Sequence, residues 1–293
     1  MIKQTLFITT NVYLSLKNLQ LVMSWKDNDD VITRPIEDIG FVIIENQMVT
    51  VTIPLLNELV NNNVSVIICD NKQMPTSMLM GLDTNKTQAE SFKGQLSISE
   101  PCKKQAWKQI IESKIMNQSR LLSKLDKDGA KLKSLYMNVK SGDTDNREGI
   151  AAKMYWNLLL GKDFRRTREG SPPNNMLNYG YSILRAATAR ALLGSGLLPN
   201  FGIFHRNRYN AFPLADDIME PYRPFVDEVV FNLYANGCDE LDKTTKAVII
   251  RTLASDVKIG KVTRPLQIAL TMTCASLVKY YNGDIKKISL PEI

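Results

Sequence analysis

The sequence predicts an α+β protein of two domains, the first mainly β and the second all α. Three observations lead to this class. Short strand-like runs fill the first third, helical periodicity begins near residue 90, and the charge changes sign over the same stretch. A chain of 293 residues is also long for one hydrophobic core. We therefore place the domains at residues 1–96 and 97–293.

The first domain is predicted to contain antiparallel strands and one helix. Short apolar or alternating runs separated by polar residues are typical of strands. These runs are Thr5–Thr9, Val12–Leu16, Leu19–Trp25, Phe41–Glu45 and Val64–Cys69. Ile53–Asn62 instead has apolar residues at helical spacing, which predicts a helix packed on the sheet.

The second domain is predicted to be helical throughout. Ser99 followed by Glu100-Pro101 indicates a helix start, with Ser as the N-cap and Pro just inside. Apolar residues recur at helical intervals from there to Lys124, with Trp107 and Lys114 in the same pattern. The later predicted helices are Gly129–Val139, Asn146–Leu160 capped by Asp145, Asn174–Leu193, Lys243–Asp256 and Pro265–Tyr281.

The composition excludes several classes of protein. No apolar run reaches the roughly 18 residues that a membrane span needs, so we expect no membrane partner. The first residues lack the apolar stretch of a secretory signal. The four cysteines form no C-x-x-C pair, which argues against a zinc ribbon or a disulfide framework. A cytoplasmic location is the expectation.

The charge is unevenly distributed along the chain. The net charge is +7, yet residues 1–96 hold 7 basic and 10 acidic side chains. The excess of positive charge therefore lies in the second domain. Such a field favours a polyanion, because contacts with phosphates release condensed counterions. A soluble basic surface without a partner is the alternative.

One group of side chains suggests a metal site. His205 is the single histidine, and Asp216, Asp217 and Glu220 follow it closely. Asp217 and Glu220 share one face if they lie on a helix. Glu148 is a further acid in basic surroundings. Carboxylates with one imidazole suit Mg²⁺ or Mn²⁺. The alternative is that the histidine is structural and the acids merely complement helix dipoles.

Four blocks of sequence, in order, resemble a known family, the CRISPR-associated spacer-acquisition integrases, in the version found in type II loci. The blocks are Glu148-Gly149 with Ala152 and Tyr155-Trp156; residues 174–181; Gly196-Leu197-Leu198-Pro199 to His205; and residues 214–221 with Arg223-Pro224 and Val226-Asp227. The blocks cover residues 148–227, and the strand-then-helix layout fits the full length.

The resemblance implies particular roles for the acids and the histidine. The metal ligands of the family fall on Glu148, His205 and Glu220, and Asp217 matches a second acid beside the third ligand. Many members have Asp where this chain has Glu220, a change that keeps the ligand type. Asp217 would either bind a second ion or orient His205.

The resemblance also implies an activity. A family member joins short double-stranded DNA into a repeat array, as a 3′-hydroxyl attacks a phosphodiester of the target with a divalent metal bound. The same site would hydrolyse DNA with water. Two attacks require at least two active sites, so a homodimer through the first domain is expected.

Further partners follow from the resemblance. They are the small second CRISPR-associated protein and, in type II loci, an effector nuclease and a ring-shaped accessory protein.

Candidate DNA contacts are Arg165, Arg166, Arg168, Arg206 and Arg208. Two other functions stay open. The first is a non-catalytic nucleic-acid scaffold, and the second is an RNA-processing nuclease.

Overall fold

The computed structural model describes residues 3–26, 29–81, 85, 88–167 and 169–293. The chain forms two compact units, residues 1–86 and 87–293. The first is rich in strands and the second in helices, which confirms the α+β class.

The first unit packs two sheets and a helix around one apolar core. One sheet has the strand order β1-β5-β7-β8 and the other β4-β3-β2-β6. Leu14 and Leu21 of the second sheet, Val42 of the first and Leu55 of the helix belong to the same buried cluster. The elements are β1 Gln4–Ile8, β2 Tyr13–Lys17, β3 Gln20–Ser24, β4 Val31–Pro35, β5 Ile39–Ile44, β6 Thr50–Val51, α1 Ile53–Asn61, β7 Ser65–Cys69 and β8 Pro75–Leu79.

The strand pairing differs in part from the antiparallel arrangement that we predicted. β5 pairs in parallel with both β1 and β7, while β8 is antiparallel to β7. Every residue of β5 is buried. A parallel strand covered on both faces has a continuous apolar pattern, so its direction cannot be read from alternation.

The second unit is built from helices with one small sheet. Its elements are α2 Gln88–Ser97, α3 Glu100–Lys124, α4 Lys133–Met137, α5 Arg147–Leu160, α6 Asn174–Gly194, α7 Pro213–Met219, α8 Arg223–Ala235, α9 Lys243–Ile250, β9 Asp256–Ile259, β10 Val262–Pro265, α10 Leu266–Tyr281 and β11 Pro291–Glu292. Short 3-10 turns lie at Gly129–Leu132, Ser141–Asp143, Glu220–Tyr222 and Arg251–Ala254.

The helix α2 belongs to the second unit, although the predicted boundary assigned most of it to the first. The amide of buried Gln95 donates to the carbonyls of Leu198 and Phe201 at 2.8 and 3.2 Å, and accepts from the Leu198 N–H at 2.8 Å. These bonds join α2 to the segment that follows α6.

The long helix α3 runs through the second unit. As predicted, Ser99 is its N-cap, and the hydroxyl accepts from the Cys102 N–H at 3.4 Å. Its 25 residues span about 37 Å at 1.5 Å per residue. Trp107 and Lys114, seven residues apart, are both buried. Two turns of helix separate them, so they lie on one face.

The all-α prediction for the second unit is wrong at its C-terminal end. A sheet with the order β10-β9-β11 follows α9, which ends six residues before the predicted limit. β9 and β10 form a hairpin across Gly260, whose φ of 61° suits glycine in a tight turn. The alternation of Val257, Ile259 and Val262 around that glycine was the available sequence signal.

Candidate metal centre

Glu148 is positioned by the start of α5. Asp143 accepts hydrogen bonds from the N–H groups of Arg147 and Glu148, at 2.8 and 3.0 Å. Asn146 is the N-cap and accepts from the Gly149 N–H at 3.2 Å. The predicted cap, Asp145, is therefore wrong: its carboxylate pairs with the Arg147 side chain at 2.9 Å.

Glu220 reaches the same region from a different part of the chain. It follows α7 and begins the 3-10 turn that leads into α8. The side chain is buried, and its Oε1 lies 2.9 Å from Nη2 of Arg223. Asp217, three residues earlier, is also fully buried. Neither acid is a solvated residue at a helix start, which was the alternative for this cluster.

Lys114 of α3 stands between the two glutamates. Its Nζ donates to Glu148 Oε1 at 2.6 Å and lies 2.6 Å from Glu220 Oε2. Those two oxygens are therefore at most about 5.2 Å apart, the sum of the two contacts. Sequence reasoning missed this role, although a lysine at an apolar position of the α3 pattern was a signal.

Asp217 orients the histidine. His205 Nδ1 lies 2.6 Å from Asp217 Oδ1, while Asp217 also accepts from the N–H groups of Ile203, Phe204 and His205 at 2.5, 3.0 and 3.2 Å. A buried carboxylate thus holds both the ring and the backbone of its loop. With Nδ1 engaged, Nε2 is the ring nitrogen that is left for a further partner.

The loop needs glycine at position 202. A Cβ there would lie 2.5 Å from the carbonyl oxygen of His205 and 3.0 Å from Oδ2 of Asp217. The first distance is shorter than any real Cβ contact and involves backbone, so the loop would have to shift. Gly202 therefore permits the close wrapping of the loop around Asp217.

Aromatic rings support the histidine from the side of α3. The rings of Trp107 and Phe204 are stacked, with 4.3 Å between their centroids and an interplanar angle of 3°. The Trp107 ring also meets the His205 ring edge-on at 5.7 Å. Trp107 and Lys114 share one face of α3. This helix therefore supports the loop that carries His205 and also provides the ammonium between the two glutamates.

The electrostatics of the site follow from these contacts. The hydrogen bond to Asp217 raises the pKa of His205, with a further contribution from Glu220, against the opposing effect of burial. Burial alone would lower the pKa of Lys114, but the charges of Glu220 and Glu148 outweigh it and the pKa is raised. Burial would raise the pKa of Glu220, whereas Arg223 and Lys114 lower it overall. The lysine and Glu220 are therefore both charged.

The donor set suits a hard divalent ion. Glu220 Oε2 is buried against the Lys114 ammonium, 2.6 Å from Nζ. Carboxylate oxygens with one imidazole nitrogen fit Mg²⁺ or Mn²⁺. In the part of the chain that the structure describes, no three His, Cys, Asp or Glu side chains form a ready-made metal cluster. The lysine lies between two of the predicted ligands.

The predicted DNA contacts have varied surroundings. Arg165, Arg206 and Arg208 are exposed, and Arg206 pairs with Glu100 at 2.6 Å. Arg166 instead donates to the side chain of Asn178 at 2.7 Å, and its guanidinium lies over the Tyr181 ring. Arg168 lies outside the described residues.

A further buried carboxylate, Asp227, lies behind Arg223. Asp227 accepts hydrogen bonds from Tyr155, at 2.8 Å, and from Tyr181. The Tyr181 ring in turn lies 4.8 Å from the Arg223 guanidinium. Burial raises the pKa of Asp227 to about 6, partly offset by the two tyrosines. Asp227 belongs to the fourth sequence block, but its position behind Arg223 was not predicted.

Asp227→Asn is expected to flatten the dependence of stability on pH. Because the pKa of Asp227 is raised on folding, the folded protein binds its proton more tightly, and stability falls as the pH rises from about 4 to 6. The full effect is on the order of 2–3 kcal/mol. Urea unfolding of both proteins at pH 4.5 and 7 measures it. Exposed Asp239→Asn is the control, and equal pH dependence in D227N and wild type would contradict the expectation.

The fold is shared with solved structures. A casposase bound to integration product superposes with a TM-score of 0.80 at 21% identity, covering 98% of this chain and 92% of that chain. A chain of a Cas6-RT-Cas1–Cas2 complex superposes with a TM-score of 0.72 at 21% identity, covering 97% of this chain and 35% of that chain.

Sequence comparison identifies the family. Residues 6–254 match the family model described as CRISPR associated protein Cas1. The CRISPR-associated endonuclease Cas1 of Neisseria meningitidis serogroup C (strain 8013) is 37% identical over 295 residues, covering 99% of this chain and 96% of the relative. This chain belongs to the Cas1 family, which confirms the family drawn from the four blocks, while its assignment to type II loci stays a prediction.

No described helix combines the length and the hydropathy that a membrane span requires.

Proposed function

We propose that this protein is a divalent-metal-dependent DNA integrase and endonuclease of CRISPR adaptation. It joins the 3′-hydroxyl ends of short double-stranded DNA to the repeat array by transesterification. Membership of the Cas1 family and a close relative named an endonuclease support the activity. The observation that carries it is the pairing of Glu148 with Glu220 across Lys114, beside a histidine held by Asp217.

Glu148, His205 and Glu220 are the residues that would hold Mg²⁺ or Mn²⁺. The bound ion supplies Lewis-acid stabilisation of charge on the phosphoryl oxygens. Of the two roles open to Asp217, the contacts favour orientation, since all of its observed bonds go to the His205 loop. Asp217 keeps the proton on Nδ1 and presents Nε2 to the site. Arg223 fixes Oε1 of Glu220, which leaves Oε2 facing the position between the glutamates.

The positive charge of the helical unit would bind DNA. Arg165, Arg206 and Arg208 are exposed cations, and Arg206 and Arg208 lie one and three residues after His205. Contacts with phosphate depend on charge alone, so they position the backbone of DNA without reading its sequence. Attack by a 3′-hydroxyl forms a new phosphodiester with the target phosphorus and breaks the old one, so that the 3′-hydroxyl of the target strand leaves. Attack by water breaks the same bond and leaves a 5′-phosphate and a 3′-hydroxyl.

The strand-rich unit is the proposed dimer interface. β4 lies at the edge of its sheet and carries exposed Val31 and Ile32, a pattern that a partner strand would cover. A solved chain of similar fold comes from a complex containing Cas2, which supports the small second CRISPR-associated protein as a partner. The type II effector nuclease and accessory ring protein remain predictions.

Removal of divalent metal tests the activity directly. Strand transfer of a short duplex into a repeat-containing plasmid is expected with Mn²⁺ and lost with excess EDTA, because the two glutamates and the histidine need the ion for chemistry. Glu148→Gln should behave like EDTA treatment and retain DNA binding. An exposed control, Asp239→Asn, should retain transfer. Transfer or cleavage that is indifferent to metal would contradict the proposal, and a complete lack of both with intact DNA binding would favour the scaffold.

A further inference from the structure

The two glutamates are neutralised by the chain's own cations. Lys114 and Arg223 contact Glu220, and Lys114 also contacts Glu148. Two positive and two negative groups therefore lie together in a region where Lys114 and Glu220 are buried. A divalent ion added to this set would face an uncompensated buried ammonium, and such charges interact strongly away from water.

The lysine contacts the oxygens that a metal would need. Its Nζ lies 2.6 Å from Glu148 Oε1 and 2.6 Å from Glu220 Oε2. Toward Glu148 the contact is a hydrogen bond, and the contact with Glu220 helps to lower the pKa of that carboxyl. A divalent ion that binds these two oxygens therefore has to displace the ammonium from both of them.

We propose that Lys114 is a resident cation that competes with the divalent metal for Glu148 and Glu220. This inference rests on the proposed function. Without metal the ammonium stabilises two carboxylates, half-buried Glu148 and buried Glu220, that would otherwise repel each other. Metal binding requires Nζ to leave the position between them, so the lysine lowers the affinity of the site for metal. The flexible four-carbon stem of lysine allows that movement without a change in the backbone.

The test is the affinity for Mn²⁺ without DNA. Free Mn²⁺ is titrated against the full chain and measured by electron paramagnetic resonance. Lys114→Met keeps an unbranched side chain, one heavy atom shorter, and removes its charge, so it is expected to bind Mn²⁺ at least about tenfold more tightly. Lys108→Met is the matched control on α3, because Lys108 forms a partly exposed pair with Glu112 at 3.6 Å. It should bind Mn²⁺ as the wild type does.

A stability measurement covers the case in which the variant folds poorly. Without metal, K114M removes the cation that lies between Glu148 and buried Glu220 and should unfold at lower urea than the wild type. Saturating Mn²⁺ should raise its urea midpoint more than it raises that of the wild type, since tighter ligands stabilise more. Lys114→Gln, which keeps a polar donor, should show the same larger shift.

The outcomes separate the inference from the proposed function. Loss of Mn²⁺ binding in E148Q would show that the wild type binds the ion through Glu148. If neither K114M nor K114Q then binds Mn²⁺ more tightly or shows a larger shift of the urea midpoint, the competition is overturned and the metal site stands. If E148Q binds Mn²⁺ as well as the wild type, both the site and the competition are overturned. Tighter binding in both lysine variants, lost when E148Q is added, supports the inference.

Discussion

Replacing His205 by alanine is expected to abolish strand transfer while leaving DNA binding within about twofold. The imidazole is the one nitrogen ligand of the proposed set and is held for that role by Asp217. Changes behind a ligand cost 10–100-fold, so loss of the ligand should cost at least about a hundredfold. Initial rates of integration at saturating DNA, with DNA binding measured by fluorescence anisotropy, check this.

A loop neighbour provides the control for the histidine. Asn207 is exposed and lies two residues from His205, and Asn207→Ala should keep most of the strand-transfer activity. Full activity in H205A would remove His205 from the metal site. Loss of activity in both variants would instead indicate that the loop, and not the imidazole, is what matters.

Asp217→Asn is expected to lower strand transfer by about 10–100-fold, the usual cost of losing a group that orients a metal ligand. The amide would also place an NH₂ group against backbone N–H donors, so the free energy of unfolding should fall by about 1–3 kcal/mol. Integration rates and urea unfolding measure the two effects.

The pH profile separates orientation from general destabilisation. Asp217 raises the pKa of His205, and a metal binds the neutral ring, so Asp217 places the acid limb of activity at higher pH. In D217N that pKa falls and the acid limb should move to lower pH. Asp216→Asn removes the same charge one residue away, where Asp216 pairs with Arg185, and should shift the limb less. Equal shifts and equal rates in the two variants would contradict the orienting role.

Parts of the site were predictable because their signals are local. The N-cap of α3 was correct, since Ser99 needs only its own helix to satisfy the Cys102 N–H. The cap of α5 was wrong, because Asn146 adopts the left-handed conformation and Asp143 reaches across a turn, which composition does not reveal. The β9–β10 hairpin was not predicted, because the helix predicted before it was extended beyond the end of α9.

The acids next to α7 show the same limit more clearly. Spacing placed Asp217 and Glu220 on one helix face, and a helix dipole explained them equally well. In the folded chain they make different contacts: Asp217 holds the His205 loop, and Glu220 meets Lys114 and Arg223. Local spacing does not encode which neighbour a buried side chain meets.

The sequence by itself determined the two-part α+β class and the family, because periodicity and ordered motifs are properties of neighbouring residues. The tertiary structure alone decided that Lys114 lies between Glu148 and Glu220 and that Asp217 serves His205. These contacts join α3, α5 and the turn after α7, and they form only when the burial of each helix face brings distant segments together.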